Sequence, residues 1–341
     1  MKFEIKQKDL LGAINIANRA VSKSTNIQIH ELIYFSADKD GLSLTSFDGE
    51  ISIKTYAKAN IIEEGVMAVK ADLISNIIRK LPDELVKIEL ENGKINIKCK
   101  RSNFNLISFE YFEKEEIRKP DSKPIQIDND KLKRSINQTE FATSLDETKL
   151  ALDYPADFEN TEYIIPKRSL LEWSRIVSDD SKTSLYKNDN DLMFVSESTT
   201  MLCKVIDKNY IDYRNIINDI SETSIVLEKR ELTSALDRAQ VLSDPGRANL
   251  IKVSIDEKVM TIMSNSEIGD VKEVIEVEQE GEGLDIAFNA KYMQDGVKAC
   301  DSEKIKLNFK SSLNPCLIYP TNSSHEGEDF TYLVLPVRLA K

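Results

Sequence analysis

Apolar positions along this chain follow two rhythms, and the order in which the rhythms alternate recurs three times. A spacing of three and four residues marks a helix with one buried face. It runs through Leu10, Leu11 and Ile14 toward Arg19 and Ser22, through Leu132 and Ile136 toward Phe141 and Ser144, and through Leu232 and Ala235 toward Gln240 and Ser243. Asp9 and Asn129 stand where N-caps belong. A second helix follows each time, at Asp72 to Ile78, at Ser169 to Trp173, and at Ala290 to Met293 with Val297. Alternation of period two comes next. Val86, Ile88 and Leu90 lead through an Asn92-Gly93 turn to Ile95, Ile97 and Cys99, and the segments Ser184 to Val195 and Ile305 to Phe309 hold the same place later. The pattern describes an α+β protein of three tandem units of roughly a hundred residues, each with two helices and antiparallel strands.

The repeats are unequal. From the serine ending the first helix to the apolar residue before the second, Ser22 to Val69 is a separation of 47 and Ser243 to Phe288 one of 45, whereas Ser144 to Ile165 is only 21. Repeat one fills the interval with Leu32 to Leu44 and repeat three with Ile251 to Ile262, each a strand, a turn and a strand. Repeat two passes from Thr148 straight to Leu150 and Leu152, so the middle domain lacks that hairpin. Its loss is expected to bare a sheet edge at a cost on the order of several kcal/mol. Either the middle domain is shortened in the protein itself, or the encoding gene carries residues absent from this chain. The polar, proline-containing run Glu113 to Pro124 and the stretch after Ile217 set domains at 1–122, 123–218 and 219–341.

Length and composition suit a soluble globular chain, with 341 residues, 41% hydrophobic and 30% charged. No apolar run approaches the roughly 20 residues of a membrane span, and the opening Met1 to Lys6 alternates like a strand, so a cytoplasmic protein without membrane contact is expected. Cys99, Cys203, Cys300 and Cys316 have no paired spacing and read as buried thiols, not as metal ligands or disulfides. Only His30 and His325 could serve as catalytic imidazoles, and no Walker loop, dinucleotide fingerprint or zinc-protease motif occurs. Asp48-Gly49-Glu50 and Asp244-Pro245-Gly246 read as turns. No enzyme, metal or cofactor is expected.

A net charge of −12 argues against holding nucleic acid by bulk attraction, yet the cations gather on or beside the helices. Arg19 and Lys23, Arg79 and Lys80, Lys133 and Arg134, Arg175, and Lys298 recur there, while acids concentrate in strands and loops such as Glu63-Glu64 and Glu276 to Glu282. Tandem units that each carry their own core favour an arc over a solenoid. A head-to-tail contact between identical chains closes such an arc into a ring, with the basic helices lining the hole.

Particular stretches carry a resemblance. Met1 to Phe3, Val69 to Pro82, Phe141 to Thr148, Tyr210 to Arg214 and Tyr332 to Leu339 are similar, in order and spacing, to the bacterial DNA polymerase III beta subunit, the sliding clamp family, along essentially the whole chain. The resemblance implies a DNA-clamp fold in which three domains form half of a ring. It implies a homodimer that encircles double-stranded DNA without regard to sequence and tethers DNA polymerase III subunits, the clamp loader and other proteins bearing a clamp-binding motif. Lys23 falls near a turn where the family places a pore-facing cation, and an ordinary loop lysine is the alternative there.

By the same resemblance a peptide pocket is carried over onto Leu150, Arg247, Asn289, Tyr292, Pro315, Val334, Leu335, Pro336, Val337, Arg338 and Leu339. An extended peptide with one or two large apolar side chains suits it. Asn289 also reads as an N-cap, and the apolar members also read as core edge. The competing function is a diverged clamp-like scaffold that binds proteins and no longer loads on DNA.

Overall fold

A computed structural model describes residues 1–22, 26–111, 120, 123–142, 149–151, 163–188, 191–207, 217, 221–243, 249–322 and 330–338. Both expected domain boundaries, near 122 and 218, lie outside the described residues. The chain divides into two compact units, Met1–Tyr210 and Ile211–Lys341.

The first unit holds repeats one and two. Repeat one runs β1 (Lys2–Lys6), α1 (Gln7–Ala17), β2 (Leu32–Asp38), β3 (Gly41–Phe47), β4 (Ile51–Ala57), β5 (Asn60–Glu63), β6 (Gly65–Lys70), α2 (Ala71–Lys80), β7 (Leu85–Glu91), β8 (Lys94–Cys99) and β9 (Ser102–Ile107). One antiparallel sheet has the order β5-β1-β7-β8-β9, and β4-β3-β2-β6 lie side by side in another. The periodicity explains the core. Leu10 and Ile14 of α1 and Ile74 and Ile78 of α2 pack with Phe3, Ile5, Ile88 and Ile97 of the first sheet and with Ile33, Phe35, Leu44 and Val69 of the second. The Asn92-Gly93 turn joins β7 to β8 with positive φ at both residues, 49° and 75°, as a tight hairpin requires.

Repeat two follows with β10 (Ile125–Asp128), α3 (Asn129–Thr139), β11 (Lys149–Ala151), β12 (Ile164–Pro166), α4 (Lys167–Ser174), β13 (Lys182–Asn188), β14 (Asp191–Ser196) and β15 (Thr199–Lys204). Its first sheet continues directly into repeat one in the order β10-β13-β14-β15-β4-β3-β2-β6. At this seam Met201 stands opposite Ile53 and Cys203 opposite Ile51, with Thr55 and Thr199 hydroxyls 2.9 Å apart. Ala20, Ile51 and Ile53 of repeat one thereby join the core built on Trp173, Phe194 and Met201.

The second unit is repeat three: β16 (Thr223–Glu228), α5 (Lys229–Val241), β17 (Leu250–Asp256), β18 (Val259–Ser266), β19 (Gly269–Glu276), β20 (Glu278–Gly281), β21 (Leu284–Asn289), α6 (Ala290–Ala299), β22 (Lys304–Phe309), β23 (Cys316–Pro320) and β24 (Tyr332–Val334). Its sheets, β20-β16-β22-β23-β24 and β19-β18-β17-β21, reproduce repeat one strand for strand.

That identity of order locates the shortening. Three strands, β3 to β5 or β18 to β20, separate the equivalents of β11 and β12 in the other repeats, and among the described residues none of the three has a counterpart in repeat two. Among the described residues β11 and β12 form a two-stranded sheet by themselves. Two expected N-caps are corrected. α1 begins at Gln7, which puts Asp9 inside its first turn, and α3 begins at Asn129 itself. Asn129 is fully buried and its amide bonds Ser178 O and Ser181 Oγ while its oxygen accepts from Thr183 Oγ1. Burial of the side chain, not helix capping, decides that position.

Candidate functional site: the helix cations and the groove at the C-terminal strand

Several cations of the helices in the first unit are held by acids of the same unit. Arg19, in the 3-10 turn Asn18–Ala20 after α1, donates to Glu172 Oε2 of α4 at 2.7 Å. Arg175, at the end of α4, reaches the other oxygen of Glu172 at 3.0 Å. Lys133 lies 2.5 Å from Asp179, and Arg134 pairs with Asp130 one turn earlier on α3. Asn18 Nδ2 donates to Ser75 Oγ of α2 at 2.6 Å, so α1 is linked to α2 on one side and to α4 on the other. Arg79 and Lys80 end α2 exposed. In the second unit Lys298 of α6 lies 3.5 Å from Asp237 of α5. Lys23 lies outside the described residues.

Such pairing sets the electrostatics. A partly exposed ion pair is worth at most about 1 kcal/mol to stability, but it removes net charge from the helix surface. Sequence reasoning misses Glu172, which neutralises two arginines at once; its spacing of three from Arg175 on one helix is the available signal. Asp48 makes the expected turn, accepting from Glu50 N and Ile51 N, and adds an ion pair of 2.5 Å to Arg168 across the seam.

The second candidate is the surface beside β24. Asn289 caps α6, its Oδ1 accepting from Lys291 N at 2.9 Å and Tyr292 N at 3.3 Å. Tyr292 then stands 58% exposed on the first turn. Val334 closes β24 buried opposite Cys316, just beyond the half-buried Pro315. Leu335 follows 67% exposed, and the Val337 amide donates to Ala287 O of β21 at 2.8 Å. The tail is thus tied at both ends, with Leu335 turned outward between the ties and Arg338 exposed beyond them. Asn289, Tyr292, Pro315, Val334, Leu335, Pro336, Val337 and Arg338 all belong to this one unit. Leu150 belongs to the first unit, in β11 opposite Ile165, while Arg247 and Leu339 lie outside the described residues.

Groups with chemical reactivity are shielded. Burial pushes the Cys203 and Cys300 thiols up to about 12 and raises Cys316 and Cys99 as well. His30 sits in a 3-10 turn with its ring edge-on to Phe47, and His325 lies outside the described residues. Among the described residues no cluster of three or more His, Cys, Asp or Glu side chains could hold a metal ion.

Comparison with known proteins agrees with this architecture. Residues 1–118 match the DNA polymerase III beta subunit N-terminal domain, and residues 214–338 match the C-terminal domain of the same subunit. The beta sliding clamp of Bacillus subtilis is 31% identical over 99% of this chain and 100% of its own length, and that of Staphylococcus aureus is 29% identical with 99% of each covered. The Bacillus comparison extends over 381 residues against 341 here, so at least 40 (381 less 341) have no counterpart. A missing group of strands requires longer relatives of this kind. Among solved structures, the beta subunit of Streptococcus pyogenes superposes with a TM-score of 0.92 at 25% identity over 99% of this chain and 100% of its own. The sliding clamp of Bacillus subtilis gives 0.90 at 30% identity over the whole of both. With two repeats of one strand order flanking a shortened one, a seam that fuses neighbouring sheets, and these likenesses along its length, the chain belongs to the DNA polymerase III beta subunit family, the bacterial sliding clamps.

Proposed function

We propose that the protein is a processivity factor that works as a head-to-tail homodimeric ring around duplex DNA in the cytoplasm, tethering the replicative polymerase and other partners through the groove beside β24. It acts by binding and not by turnover. The observation that carries this reading is the β4·β15 seam, because the repeat allows its parts to be located elsewhere in the chain.

At the seam the outer strand of a β4-β3-β2-β6 group pairs with the outer strand of a β10-β13-β14-β15 group. The equivalent outer strands are β19 in repeat three and β9 in repeat one, and both are edge strands. Their neighbours correspond too. Arg19, which reaches across the seam to Glu172, corresponds in helix register to Val241, 79% exposed; Met201, 0% exposed, corresponds to Phe104, 37% exposed; Ser169, 1% exposed, corresponds to Leu73, 45% exposed. Side chains at one seam therefore have apolar, exposed counterparts on the two edges that would form the next. Pairing β19 of one protomer with β9 of another buries them, and such a heterologous contact closes into a ring with two protomers.

Ring topology also explains why the helix cations are paired. Each phosphate neutralised by direct contact steepens the salt dependence by about 0.9 in log-log slope, so a protein that must slide gains from few such contacts. With Arg19, Lys133, Arg134 and Arg175 held by acids, enclosure retains the DNA and residual charge centres it.

The test is loading by a clamp loader onto nicked circular DNA followed by linearisation. A ring stays on the circle and leaves when the DNA is cut. A protein-binding scaffold never associates stably with the circle, and that result would overturn the proposal.

A further inference from the structure

Gly296 lies in the interior of α6, one turn after Tyr292 on the same face of the helix. Helix propensity alone disfavours glycine there relative to alanine. The structure supplies a reason. A Cβ built on Gly296 would fall inside the aromatic ring of Tyr332, overlapping its Cδ1, Cε1 and Cγ atoms. The ring of the first residue of β24 lies directly on the bare helix backbone, so a side chain at 296 would force the ring to move. Tyr332 packs there against the core of repeat three, and Tyr292 and Asp295 of α6 are near enough to act on its phenol. Burial and those neighbours push that phenol up to about 12.

Tyr332 is three residues before Leu335, the exposed side chain of the surface beside β24, and the Val337 amide is two residues beyond it, bonded to Ala287 O. The strand is pinned at both sides of Leu335. We propose that Gly296 is a positioning residue for the peptide groove: its missing side chain admits the Tyr332 ring, and this packing holds β24 and presents Leu335 and Tyr292 to an extended apolar peptide. The inference rests on the groove reading given under Proposed function.

Three full-chain variants test it: Gly296→Ala, Tyr332→Ala and the pair together. The probe is a fluorescein-labelled extended peptide bearing two leucines and a phenylalanine, titrated by fluorescence anisotropy. Gly296→Ala is expected to weaken the peptide at least tenfold. Combined with Tyr332→Ala it should add less than twofold to the loss that Tyr332→Ala causes alone, because the methyl then meets no ring. Two readouts do not depend on the peptide. Amide exchange across Leu333 to Leu335 should quicken at least tenfold in Gly296→Ala, and one tyrosine should move down from about 12 toward its ordinary value in an alkaline absorbance titration. Unchanged exchange and titration in Gly296→Ala, or losses that simply multiply in the double variant, would overturn the positioning role. A wild-type chain that ignores the peptide would remove the groove reading instead, and with it the functional part of the inference, while the exchange and titration would still judge the packing.

Discussion

Val241 offers the sharpest perturbation of the proposed ring. It ends α5 at 79% exposure, whereas its repeat equivalent, Arg19, reaches across the β4·β15 seam to Glu172. Full burial of a valine is worth about 1.5–3 kcal/mol, so covering four-fifths of it contributes about 1.2–2.4 kcal/mol per junction. Val241→Lys forfeits this and forces an ammonium group into the contact, for a combined loss of about 3 kcal/mol per junction. A two-protomer ring has two junctions, and about 6 kcal/mol corresponds to a dimer Kd raised about 10⁴-fold. The protomer itself should be unaffected, since an exposed side chain is replaced and a cation suits the C-terminal end of a helix. Sedimentation velocity from nanomolar to micromolar protein reads the dissociation, and thermal melting checks the fold. A Val241→Lys protein that dissociates at the same concentration as the wild type would refute the transfer of seam geometry to the β9 and β19 edges.

Four further outcomes follow from particular contacts. Glu172→Gln frees Arg19 and Arg175 and should raise non-specific duplex affinity while steepening its salt dependence by about 1 in log-log slope, read by fluorescence anisotropy against sodium chloride; an unchanged slope would show that these arginines do not meet phosphates. Asn129→Ala removes the centre of a buried network and should cost about 2–3 kcal/mol. Its unfolding is visible through Trp173, the single tryptophan, which is fully buried and donates to the Thr183 hydroxyl that bonds Asn129. Leu335→Ala and Arg338→Ala should leave the melting temperature in place and each weaken an extended apolar peptide about fivefold or more, as calorimetry would register. Finally, buried thiols with raised values keep their protons in the folded state where the unfolded chain loses them. The stability they confer is complete below the ordinary value of 9.0 and is lost toward about 12, so the urea midpoint should fall between about pH 9 and 11, less steeply in Cys203→Ala.

The periodic apolar spacing of Leu10 and Ile14, Leu132 and Ile136, and Leu232 and Ala235 determined the helices by itself, because a buried helical face needs residues at that interval wherever it packs. The Asn92-Gly93 hairpin, the Asn289 cap and the shortened middle repeat were equally legible, since turn chemistry, capping and chain length are local properties. Tertiary structure alone decided which charges remain available. Arg19 and Glu172 are 153 positions apart, and only the seam brings them to 2.7 Å. It also decided that Asn129 is a buried linchpin and not a cap, and that the space beside Gly296 belongs to Tyr332. A pattern along the chain records which face of an element is buried, whereas the identity of the atoms across the gap depends on packing between segments that the pattern treats separately.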